Sequence, residues 1–146
     1  MTSETSRATG GIAAGDLRVV RPADRVLDQA SGGMRREAAV SRALVGAERI
    51  WLGYVELDPG DISAAHHHGE AESAIYLISG QARFVTEGGT HDAEAGDVVW
   101  VPPHVVHVEV NRSWSETVRM IVARSTQQTL VFNVDMPDGW RARAVD

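Results

Sequence analysis

From Arg49 onward, apolar and polar positions alternate with a period of two, which turns one face of a strand to a core and the other outward. IWLGYVEL, residues 50–57, reads as a strand rich in β-branched and aromatic residues. Asp58-Pro59-Gly60-Asp61 reads as a turn. Strands are expected next over Ser73–Ser79, Gln81–Thr86, Val98–Val101, His104–Val110, Thr117–Ala123 and Thr129–Val134. Gly80 marks a turn or bulge between two of them, and Gly88-Gly89 a hairpin. Upstream, Asp16–Arg21 is a candidate first strand ended by Pro22, and Arg25–Gly33 has weak helical or loop character. Met34–Val45, which contains REAAVSRAL, is open between helix and strand. Many short strands, with turn signals roughly every 8–12 residues, imply an all-β sandwich or barrel. Long amphipathic helices, internal repeats, GxGxxG, the P-loop and GxSxG are all missing, so a doubly wound α/β fold is not expected.

Length and composition narrow this further. A chain of 146 residues, 43% apolar and 23% charged, suits one soluble domain, expected over residues 16–135. Residues 1–15 are small and polar and are expected to be a disordered tail, with a polar, peripheral tail over 136–146. No apolar run approaches the ~20 residues of a membrane span, and the first residues lack a secretory apolar core. A cytoplasmic location with no membrane partner is the expectation. Net charge is −6 without a basic cluster, so nucleic acid is not an expected partner. There is no Cys, which removes disulfides, thiolate nucleophiles and sulfur ligands. There is no Lys either, so all fourteen basic residues are Arg and Schiff-base chemistry is excluded.

The chemistry-bearing stretch is Gly60–Gly80, GDISAAHHHGEAESAIYLISG, which holds three of the six histidines. On a strand His66 and His68 share a face and His67 points the other way. Glu72, a few residues on, is the best-placed carboxylate, with Glu70 nearer the turn. His107, after Pro102-Pro103, is the prime candidate for a further ligand. Imidazoles and a carboxylate suit one divalent metal ion, Zn, Fe, Mn, Ni or Cu, with Zn or Fe foremost.

These residues resemble the two motifs of the cupin superfamily, the small jelly-roll β-barrels also called double-stranded β-helices. Gly60, five residues, His66-His67-His68, three residues, Glu72 and a closing Gly80 resemble the first motif. Gly96-DVVWV-Pro102-Pro103-His104-VV-His107-VEV-Asn111 resembles the second, with His104 where the family has Gly. Seven residues rather than six separate Glu72 from Gly80, so counting back from Gly80 puts Ser73 at the usual ligand position. A bulge near Gly69 would restore Glu72 or admit His67, and the fourth ligand stays open between those two. The resemblance implies a cupin jelly roll with a short N-terminal extension, and a metal held by His66, His68 and His107.

The inward positions expected on the strands, Ile75, Leu77, Val99, Val105, Met120 and Val122, are apolar, which implies a small, largely hydrophobic, oxygen-bearing substrate. Glu72 is a candidate catalytic base and His104 a candidate catalytic residue at the cavity mouth. HHHGEAES, GDVVWVPP and LVFNVD further resemble small bacterial cupins, some of them aromatic polyketide cyclases of the resistomycin and tetracenomycin type, enzymes of antibiotic biosynthesis. That resemblance implies a metal-assisted intramolecular aldol condensation and aromatisation. An Fe(II) dioxygenase and a non-catalytic small-molecule-binding cupin are the alternatives. A homodimer paired through outer strands is also expected.

Overall fold

The computed structural model describes residues 15–28, 30–128 and 130–146. All but Gly15 of the expected disordered tail therefore lies outside the described residues. The strands are β1 (Val26–Asp28), β2 (Met34–Val40), β3 (Trp51–Leu57), β4 (Ala65–His67), β5 (Ser73–Ser79), β6 (Gln81–Thr86), β7 (Gly89–Glu94), β8 (Val98–Val101), β9 (Val108–Asn111), β10 (Val118–Arg124) and β11 (Phe132–Val134). The described α-helices are α1 (Arg42–Val45) and α2 (Trp140–Val145), and a single 3-10 turn spans Pro22–Asp24. None is long and apolar enough to cross a membrane.

One antiparallel sheet runs β1-β2-β3-β10-β5-β8. A second layer combines β7-β6-β9 with β11-β4, joined by antiparallel bridges between Ile62 and Val110 and between His66 and His107. Period-two alternation builds the space between the layers. On β10, Val118, Met120, Val122 and Arg124 are buried, while Arg119 is exposed. On β5, Ser73, Ile75 and Leu77 are buried, while Ala74, Tyr76 and Ile78 face solvent. Ile75, Leu77, Val118, Met120 and Val122 pack with Ala82 and Phe84 of β6 and Ala93 of β7 in one core. The result is the expected all-β jelly roll.

Several elements differ from the sequence reading. Asp16–Arg21 forms no strand; the first strand is Val26–Asp28, inside the stretch read as loop or helix. Met34–Val45 resolves into both candidates, β2 and then α1, whose N-terminus Ser41 caps by accepting from Leu44 N at 3.1 Å. The strand expected from His104 begins at Val108, because Pro102, Pro103 and the turn at His104 precede it. The Gly88-Gly89 hairpin joins β6 to β7 as expected, but the returning strand itself is not delimited by the pattern, since GTHDAE is polar; pairing with β6 carries it. Tyr76 on β5 is 48% exposed on the outer face of the sheet.

The C-terminal residues carry a helix that covers the second layer. Trp140 and Ala144 lie four apart on one face of α2 and pack on Ala65, Val85, Val108 and Val110. The second layer is thus apolar on its outer face as well, which explains why β9 is buried at every position. Its inward face is left free for His107, Glu109 and Asn111.

Candidate metal centre

β4 and the start of β9 lie side by side at the site. His66 N donates to His107 O at 3.1 Å and His107 N to His66 O at 2.9 Å. This register places the two imidazoles next to each other, ring centroids 4.3 Å apart. His68, two residues beyond His66, turns to the same side, with centroid distances of 5.0 Å to His66 and 5.4 Å to His107. The donor atoms of the three all lie within 4.8 Å of one another, a grouping that could hold a metal ion.

Each ring is fixed by a bond at its other nitrogen. His66 Nδ1 lies 2.8 Å from Ala64 O, His68 Nδ1 2.7 Å from Leu130 O and His107 Nδ1 2.9 Å from Val105 O. A carbonyl oxygen only accepts, so in the neutral ring Nδ1 donates and Nε2 keeps its lone pair. The lone pairs therefore face one another across the cavity. A carboxylate joins them: Glu109 Oε2 lies 3.5 Å from His66 Nε2 and 3.8 Å from His107 Nε2. Acceptors converging on acceptors in a buried space is the arrangement a cation satisfies, and backbone-tied imidazoles are how metal ligands are usually held. The residues present fit a divalent ion.

Electrostatics agree with this. Burial pushes the His68 imidazole down to about 3 and lowers His107 as well, so both rings stay neutral. Burial pushes Glu109 up, but the neighbouring His66, His107 and His68 outweigh it and hold the carboxyl below its usual range. Two arginines share the cavity. Burial lowers Arg36, and it lowers Arg124 to about 10, which still leaves that guanidinium charged at neutral pH. The full lining is His66, His68, His107, Glu109, Arg36, Arg124, Ser31, Ser73, Met34, Val55, Ile75, Val101 and Val122. The cavity is narrow, with room for roughly one water-sized group. Ile75 and Val122 are in it as expected, but the wholly apolar lining is not.

The remaining predicted site residues lie elsewhere. Glu72 is exposed and accepts from Trp100 Nε1 at 3.0 Å on the outer face. No bulge turns it inward. Gly69, at φ 58°, starts a turn closed by Ala71 N to His68 O at 3.1 Å, and Ser73 takes the inward place. Glu70 is exposed on that turn. His67 points away from the cluster and stacks on Phe132 at 5.0 Å. His104 is exposed, 6.2 Å from the His67 ring, and does not line the cavity. It has φ 64°, which explains why glycine is the residue the second motif calls for at this position. Glu109, missed by the sequence reading, had a visible signal: a single charge in the apolar run VHVEV, two residues after His107.

Residues 53–124 match the family model described as Cupin domain. No curated protein sequence matches the chain. Among solved structures, the polyketide cyclase RemF from Streptomyces resistomycificus superposes with a TM-score of 0.70 at 22% identity, over 84% of this chain and 89% of that one. A predicted oxalate decarboxylase from Thermotoga maritima gives 0.63 at 18%, over 75% and 99%. KdgF from Halomonas sp. gives 0.61 at 17%, over 77% and 96%. At these identities the likeness is one of fold.

Proposed function

The chain belongs to the cupin superfamily, and from that premise we propose that it is a metal-dependent enzyme that cyclises a polyketide-like small molecule. The observation that carries the metal assignment is the convergence of three Nε2 lone pairs and a buried carboxylate, each imidazole anchored through Nδ1. In this reading His66, His68 and His107 hold the ion, and Glu109 is the fourth donor in place of Glu72 or His67. When bound, a divalent ion supplies Lewis acidity toward a substrate carbonyl. Glu109 is the one carboxylate among the described residues lining the cavity and is held ionised; with Oε2 facing the ion, its Oε1 is the oxygen that would take an α-proton. Val55, Ile75, Val101 and Val122 keep water from the rest of the cavity. The similarity to RemF supports the choice of cyclisation. Two copies paired through outer strands complete the proposal, supported by the edge strand β8, where Val98 and Trp100 are 65% and 62% exposed.

Incubation of the metal-loaded protein with a linear poly-β-ketone, followed by mass spectrometry, tests this. The expected result is an aromatic product lighter by water, lost on treatment with a chelator. The same donor set also suits Fe(II) and oxygen chemistry. Substrate-dependent oxygen uptake that requires Fe(II), without cyclised product, would replace the cyclase reading with a dioxygenase.

A further inference from the structure

Arg36 on β2 and Arg124 on β10 are 4% and 2% exposed, and both line the cavity that contains the histidines. Their donors are largely unused. Arg36 Nε and NH2 and Arg124 Nε and NH1 are buried without a hydrogen-bond partner among the described residues. Asp28 Oδ2 lies 3.9 Å from Arg36 Nε, an ion-pair distance too long for a hydrogen bond. Both guanidiniums are held by one ring: Arg124 Cζ stands 4.3 Å and Arg36 Cζ 5.3 Å from the Trp51 centroid. Trp51 is itself pinned, since its ring occupies the space where a side chain on Gly53 would stand.

Buried charged donors that find no protein acceptor are costly and rare in folded proteins. Two such groups of like charge, aimed into one cavity, are more costly still. With a divalent ion on the histidines, the positive charge around the cavity exceeds what Glu109 and Asp28 supply. Carboxylates match guanidinium geometry and charge best.

We propose that Arg36 and Arg124 form a carboxylate-binding subsite beside the histidine centre, so that the ligand is a keto acid with its carboxylate on the arginines and its keto oxygen toward the imidazoles. As it stands the cavity has room for roughly one water-sized group, so the side chains lining it part to admit that head group, and the rest of the molecule lies outside it. This rests on the functional reading for the keto oxygen, but not for the carboxylate.

Calorimetric titration of the full chain, metal-free and zinc-loaded, with acetoacetate and with its neutral methyl ester tests the subsite. Acetoacetate is expected to bind at least about tenfold tighter than the ester in both forms. Arg36→Met and Arg124→Met are each expected to erase that preference while zinc content stays at the wild-type level. Equal binding of acid and ester by the wild type, which does not depend on any variant folding, overturns the subsite. So does a preference that survives in both variants. Absence of metal or of cyclase turnover defeats the functional reading and leaves the acid-over-ester comparison standing.

Discussion

Glu109 follows His107 by two residues, the spacing that puts both side chains on one side of an extended chain. Glu72 has the motif position but the wrong parity: Ser73, Ile75 and Leu77 face inward on β5, so Glu72 must face out. The extra residue before Gly80 was legible in the sequence; its consequence was not, because a bulge and a turn answer it differently. The turn at Gly69 settles that choice. Glu109→Gln is therefore expected to lower metal affinity by about 10- to 100-fold, as loss of a supporting carboxylate does elsewhere. Glu72→Gln is expected to leave it unchanged. Competition against a chromophoric chelator measures both. Equal losses in the two variants would restore Glu72 to the site.

Elements were legible where alternation was strong and closed by glycine or proline. Ser73–Ser79, Gln81–Thr86 and Val98–Val101 are strands over the limits read from the pattern. β7 escaped because its residues are mostly polar and backbone pairing with β6 dictates its conformation. α2 escaped because six residues are too few to show helical periodicity. Its contribution comes from packing: Trp140 is 6% exposed and closes the apolar outer face of β9, the strand that carries Glu109. Trp140→Ala is expected to cost about 3–5 kcal/mol, as large-to-small substitution of a buried aromatic does. Urea denaturation reads it directly. A change within the range of a surface substitution would show that α2 does not support the second layer.

Across the whole molecule, the centre couples stability to pH. Histidines of the unfolded chain take up protons near 6.5, but folded His68 does so only at about 3. Between those values the unfolded state binds more protons, so stability rises with pH and is lost on acidification. His107 and Glu109 shift in the same direction, each lowered in the folded chain. Metal-free protein is therefore expected to show a falling urea midpoint as pH drops from 6.5 toward 3, and His68→Ala to flatten that slope. A midpoint that rises on acidification would reverse the assignment of neutral imidazoles.

The most direct test is the metal content of the purified protein by elemental analysis, wild type beside His66→Ala, His68→Ala and His107→Ala. One divalent ion per chain is expected in the wild type, and essentially none in each folded variant. An ion fully retained in any of the three, or a wild type that takes up no divalent ion when one is supplied, would contradict the centre described here.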